Sequence, residues 1–313
     1  MKDAAGKGTP APHEDITEKD LPVTEEDKKV AASMPVRNLI GKLWWVARVS
    51  RPDIVCALHK CAVWQNRPSQ KLWKHLIWIV KYLKTTQKVG ITFNRKKEGT
   101  SNYVTYCDAA YATEEGTYSR VGFVYYFLGG LVAWESKKTK TIVDSSTEAE
   151  CQSVVQALNE NEYVRQFVEE LGIFSHTEPT IIYQDNKSTI ALTRQGAKHK
   201  RSKHYEVAFN KCKEHVRKGK VEMKHVSTTD QIADMFTKSL PQPLFEKLRD
   251  RMMRGDIENV LQVNLTVYPG DEIRKPVAML LDIGGKSKQT GTRVHRPNFL
   301  SAKNSGRVNE VDK

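Results

Sequence analysis

Three consecutive runs between residues 103 and 136, YVTYCD, VGFVYYFL and LVAWES, are built from β-branched, aromatic and small residues, the composition of strands on a half-buried pleated surface. Gly129 and Gly130 separate the last two and signal a hairpin. Helical periodicity then takes over. A Ser145 or Ser146 cap with Glu148 and Glu150 in the first turns opens a long helix through VVQAL and YVRQFVEEL. TIIYQ, residues 180–184, reads as a fourth strand and VEMKHV as a fifth. Between them KSTIALT and HYEVAFNKCKEHVRKG read as helices, the second ending at Gly219. Helices are also predicted around DQIADMFTK and PLFEKLRDRMM. The order βββαβααβα restricts the fold to an α/β sandwich with a five-stranded mixed sheet. Strands four and five return through crossover helices, so they run parallel to the first.

The segment before the strands has a different texture. RNLIGKLWWVARVSRPDIVCALHKCAVWQNRPSQKLWKHLIWIVKYLKTT places apolar residues at helical spacing with breaks at Pro52 and at RPSQ, which predicts a three-helix module over residues 35–98. GITFN, residues 90–94, is strand-like. Residues 1–34 are polar and carry eight acids against five Lys, which predicts a flexible lead-in. The α/β domain is assigned to residues 100–253, and residues 254–313 are expected to be a disordered tail. Five scattered cysteines without a CxxC pair fit a reduced compartment. No stretch approaches the roughly 18 apolar residues of a membrane span, and the first residues lack the apolar core of a signal peptide. The expectation is a soluble intracellular protein, in a cytoplasmic particle or the nucleus.

Four carboxylates stand in settings that ought to repel them. Asp108 ends the pattern of the first strand. Glu150 lies between Ala149 and Cys151, Asp185 follows IIYQ, and Asp234 sits in QIADMF. In an α/β sheet the strand carboxyl ends gather at one edge, where Asp108 and Asp185 would stand side by side. Two carboxylates in contact raise each other's pKa, and a pair of divalent cations removes that penalty while serving phosphodiester chemistry. Mg²⁺ suits such hard oxygen ligands. Singly, each acid also has an ordinary reading as a turn, cap or surface residue.

The run from SRVGFVYYFLGGLVAWESKKTKTIVDSSTEAE through YQDNKS to HKRSKHYE and DQIADMFTK resembles the ribonuclease H domain of copia-type LTR retrotransposon Pol polyproteins. The helical segment before it resembles the thumb or connection region of the reverse transcriptase there. The resemblance covers roughly residues 22–252. It implies a ribonuclease-H-like fold and an endonuclease that cuts the RNA strand of an RNA/DNA hybrid with two Mg²⁺ or Mn²⁺ ions. The implied catalytic and metal-binding acids are Asp108, Glu150, Asp185 and Asp234. Glu150 is preferred to Glu148 because it is the last Glu of SSTEAE, and residues i and i+2 do not share a helix face. Cellular relatives of the fold use a mobile histidine shortly before the last acid, which His225 matches only loosely, and an ordinary strand-end role competes with it. The paired-aspartate strand of a polymerase palm is absent from this sequence, so the expectation is a fragment whose parent polyprotein would supply the reverse transcriptase portion as a partner.

The formal net charge is +13, and residues 186–225 hold twelve Lys and Arg against three Glu. Such local excess favours a nucleic-acid face over general solubilisation. Lys198, Lys200, Arg201 and Lys203 are the leading phosphate contacts, with Ser119, Arg120 and Asn186 as further contacts near the acids. The alternative is a catalytically inactive remnant of the element that keeps this binding face.

Overall fold

The computed structural model describes residues 6–93, 101–172, 178–193 and 203–254. Five strands form one sheet: β1 (Tyr103–Glu114), β2 (Tyr118–Phe127), β3 (Gly130–Lys138), β4 (Thr180–Gln184) and β5 (Val221–His225). Their order across the sheet is β3-β2-β1-β4-β5. The pairs β1/β2 and β2/β3 are antiparallel, whereas β1/β4 and β4/β5 are parallel. This is the five-stranded mixed sheet that the element order predicts.

The helices are α1 (Glu25–Ser33), α2 (Val36–Val49), α3 (Val55–Val63), α4 (Gln70–Thr85), α5 (Ser146–Glu170), α6 (Lys187–Thr193), α7 (Lys203–Arg217) and α8 (Gln242–Arg254). Alternation along the strands divides the core between the two sheet faces. Tyr103, Cys107, Phe123, Tyr125 and Ile182 pack with Val154, Ala157 and Leu158 of α5 and Cys212 of α7. On the other face Val104, Tyr106, Val124 and Tyr126 share one apolar cluster with Ile40, Leu58, Leu76 and Tyr82 of the helical module and Leu248 of α8. All five cysteines are buried free thiols.

Three sequence expectations are corrected. Residues 6–34 are not a loose lead-in: Ile16 enters the core, α1 is capped by Thr24, and Trp78 Nε1 donates to the Thr9 carbonyl at 2.9 Å. The acidic excess explains the docking, because Asp15, Glu18 and Asp20 pair with Lys60, Arg67 and Lys71 of the helical module. Residues 91–93 form no strand, since Thr92 N donates to the Met253 carbonyl at the end of α8 instead of to a ladder. The DQIADMFTK segment is not an α-helix but two short 3₁₀ turns, Thr228–Asp230 and Ile232–Phe236. The expected tail lies outside the described residues.

Candidate active site

Pairing between β1 and β4 runs from Val104↔Ile181 to Tyr106↔Tyr183, and β4 ends at Gln184. Asp108 therefore stands just beyond the point where the parallel strands part. Strand β1 does not end there, as its composition suggests, because Asp108, Ala109 and Ala110 continue pairing with Gly122, Val121 and Arg120 of β2. Asp108 is 2% exposed and accepts a hydrogen bond from the Thr237 hydroxyl. Asp185 follows β4, and its Oδ2 accepts from Thr228 Oγ1 at 3.1 Å. Asp234 comes from the 3₁₀ turn Ile232–Phe236 and is buried. That turn can lie on the sheet because β2 presents Gly122 beneath it: a Cβ there would come within 2.5 Å of the Phe236 Cβ. Gln231 pins the turn further, its amide donating to the Cys107 carbonyl at 3.0 Å.

The result is a cluster built from three separate elements. One carboxylate oxygen from each of Asp108, Asp185 and Asp234 lies within 4.8 Å of the others. Glu150 stands beside this group on α5, 7% exposed, with Oε2 accepting from Gln184 Nε2 at 3.1 Å. Glu148 turns to the helix end, where its carboxylate accepts from Asp144 N at 3.0 Å and its own N–H donates to the capping Ser145 Oγ at 3.2 Å. One amide thus ties two of the acids together, since Gln184 Oε1 also accepts from the N–H groups of Asp185 and Asn186 at 2.8 and 3.1 Å.

Crowding and burial oppose full ionisation here. Burial first, then the charges of Asp108 and Asp185, push Glu150 up to about 9. Asp234 is raised to about 7 by burial and by Asp108, against the opposing Lys238. Burial also raises Asp108, with Lys238 and Thr237 opposing and Asp185 adding. The Lys238 ammonium lies 2.9 Å from Asp234 Oδ1 and 3.8 Å from Asp108 Oδ2. Even so, Asp234 Oδ1 has no aligned hydrogen-bond donor among the described residues. Hard oxygen ligands at this spacing, short of donors and unable to ionise together without positive charge, fit divalent cations.

The chain is 30% identical over 252 residues to the retrovirus-related Pol polyprotein from transposon TNT 1-94 of Nicotiana tabacum, a match covering 80% of this chain and 19% of that polyprotein. Identity is 33% over 217 residues to the Pol polyprotein from transposon RE1 of Arabidopsis thaliana, covering 69% of this chain and 14% of that one. The chain is homologous over most of its length to a segment of the retrovirus-related Pol polyproteins of plant transposons. It spans less than a fifth of the length of these curated relatives. No family model matches it. Among solved structures, an RNase H1 isolated from compost is 14% identical with a TM-score of 0.35, covering 47% of this chain and 98% of that one.

Other residues expected at the site of this Pol-related chain are distributed unevenly. Ser119 and Arg120 are fully buried and are not surface contacts. Ser119 Oγ accepts from Ala112 N, and Arg120 pairs with Glu114 at 2.6 Å and donates to Ser136 Oγ at 3.0 Å. Arg120 Nη2 has no hydrogen-bond partner among the described residues, but with the side chain fully buried it is not accessible to a phosphate. Asn186 is half-buried, and its Oδ1 caps α6 by accepting from Thr189 N at 3.0 Å. Lys198, Lys200 and Arg201, and the side chain of Lys203, lie outside the described residues. Farther along α7 and just past its end the positive charge is partly spent, Lys211 on Glu162 and Lys218 on Glu214. His225 is exposed at the end of β5, level with Gln184 on the neighbouring strand.

Sequence reasoning missed Gln184, Gln231, Thr237 and Lys238. The only available signal was adjacency, since Gln184 precedes Asp185 and Lys238 follows Asp234 by four residues.

Proposed function

We propose that this chain is the ribonuclease H portion of a copia-type Pol polyprotein, a hydrolase dependent on divalent cations that cuts the RNA strand of RNA/DNA hybrids. The observation that carries the reading is the meeting of Asp108, Asp185 and Asp234 within 4.8 Å at the sheet edge, with Glu150 beside them. Homology to the Pol polyproteins supplies the setting in which such hybrids arise. Asp108 would serve both ions, with Asp185 and Glu150 completing one side and Asp234 the other. Two bound cations would lower the pKa of the attacking water and neutralise charge on the leaving 3′-oxygen.

The chain's own residues prepare that chemistry. Gln184 fixes the Glu150 carboxyl and the turn bearing Asp185. Thr237, Gln231 and Gly122 hold the third acid against the first. Basic residues 198–203 are proposed to grip the phosphates, and 2′-hydroxyl contacts to identify the RNA strand. His225, exposed on the adjoining strand, is proposed as an auxiliary proton carrier.

The test is cleavage of a strand-labelled RNA/DNA hybrid in Mg²⁺ by the full chain and by Asp185→Asn. The intact chain should cut the RNA strand faster by about a hundredfold or more, as expected for loss of charge stabilisation at a reacting centre. Equal rates would reject the enzyme, and cutting of the DNA strand would reject the substrate.

A further inference from the structure

We infer that Lys238 makes the two cation positions of this site unequal, by holding the Asp108–Asp234 edge of the acid cluster with its own ammonium while the Asp108–Asp185 edge stays open. The inference rests on the cation-site reading above and adds a residue to it that sets metal affinity.

The acid cluster is a triangle whose edges differ in their surroundings. Lys238 Nζ sits 2.9 Å from Asp234 Oδ1 and 3.8 Å from Asp108 Oδ2, within ion-pair range of both. Its neighbour Thr237 donates its hydroxyl to Asp108, which anchors the base of the lysine against the same carboxylate. Asp185 differs: among the described residues its carboxylate accepts from the Thr228 hydroxyl, and no ion pair is formed. The ammonium lies nearest Asp234, farther from the shared Asp108, and forms no ion pair with Asp185, so its charge falls mainly on the Asp108–Asp234 edge.

The consequence follows from charge and reach. A divalent cation entering at the Asp108–Asp185 edge meets an Asp185 carboxylate without an ion pair among the described residues, and an ammonium that comes no nearer than 3.8 Å to Asp108 Oδ2. A cation entering at the Asp108–Asp234 edge meets the same kind of oxygens with an ammonium already among them, and like charges a few ångströms apart in a part-buried site repel strongly. The lysine side chain is 39% exposed, so its flexible stem can carry the ammonium out to solvent when a cation takes its place. The contact it gives up is the 2.9 Å ion pair with Asp234 Oδ1, which an entering divalent cation replaces with a larger charge. Lys238 is thus a placeholder that keeps two buried aspartates together before loading and weakens the second cation.

The experiment is calorimetric titration of the full chain with Mn²⁺ alone, with bound Mn²⁺ counted by electron paramagnetic resonance. The native chain should take one ion tightly and a second at least about tenfold more weakly, the separation expected of an ammonium competing at ion-pair distance. Lys238→Met and Lys238→Gln should each tighten the weaker position by about tenfold and leave the tighter one within about threefold, since the ammonium lies closest to one edge. Thermal melting followed by circular dichroism identifies which variants are folded, and either folded variant suffices. Equal affinities in the native chain, or a weaker position that both variants leave unchanged or loosen further, would overturn the inference while the cation site stands. Failure of native and variant chains alike to bind Mn²⁺ would remove the cation site itself and the inference with it.

Discussion

Glu150 and Asp234 hold protons that ordinary carboxyls release, and this makes stability depend on pH. Their usual values of 4.5 and 3.8 rise to about 9 and about 7 in the folded chain, through burial first and neighbouring aspartates second. Between those limits the folded state binds protons that the unfolded state lacks, so stability falls as pH rises. The contribution is fully present below about pH 4 and is lost through pH 7 and then 9. In a chelator, the melting temperature should drop by roughly 5 °C or more from pH 5 to pH 9. Glu150→Gln combined with Asp234→Asn should flatten that slope, and Mg²⁺ should restore the native chain at pH 9. A slope unchanged in the double variant would remove these acids as its source. Arg120 gives a second prediction: Arg120→Ala leaves Glu114, with a side chain 11% exposed, without its cation and should cost about 3–5 kcal/mol in denaturant unfolding. The four acids were legible because each broke an apolar pattern. Arg120 was misread because a basic residue in a strand gives no sign of which way it points, and Lys238 was missed because a lysine four residues after an aspartate looks like a surface pair.

Among the elements, the 3₁₀ turn Ile232–Phe236 carries the greatest functional weight for its length. QIADMF has the apolar content of a helix, and sequence alone reads it as one. What overrides that is the demand of the sheet beneath: the turn must bring Asp234 to Asp108 while burying Ile232, Met235 and Phe236. Gly122 permits this, and its place within a β-strand is otherwise unfavourable. Gly122→Ala would set a methyl group 2.5 Å from the Phe236 Cβ and 3.2 Å from Thr237 Cγ2. The turn must then lift, at a cost of about 1–3 kcal/mol for overpacking, and Asp234 moves with it. Expected outcomes are a lower midpoint in urea and a Mn²⁺ affinity reduced more than stability alone explains. An alanine variant with native Mn²⁺ affinity would show that the turn position is not set by this contact. The strands and long helices were legible because period-2 and helical patterns persist over many residues. The capping of α5 was legible as well, with Ser145 rather than Ser146 as its cap.

At the level of the whole molecule, the helical module and the sheet do not divide into two independently stabilised halves. Sequence texture changes between them, which suggests a boundary near residue 99, but texture reports local periodicity and not which faces meet. The structure places Val104, Tyr106, Val124 and Tyr126 of the sheet in one cluster with Leu58, Leu76, Ile79 and Tyr82 of the helices. Trp134 of β3 crosses the same boundary, its indole donating to the Ala47 carbonyl at 3.1 Å. Each fully buried side chain of this kind is worth about 1.5–3 kcal/mol, so exposing these four sheet residues removes about 6–12 kcal/mol, comparable with the 5–15 kcal/mol net stability of an ordinary domain. A chain reduced to residues 100–254 should therefore lose cooperative unfolding and bind a hydrophobic dye, although it keeps all four acids. Co-expression with residues 1–98 should restore both the sigmoidal melt and the Mn²⁺ site. Within the full chain, Leu76→Ala, far in sequence from every acid, should cost about 2–5 kcal/mol. If residues 100–254 alone melt cooperatively at the temperature of the full chain, the helices are an appendage and the shared core contributes little.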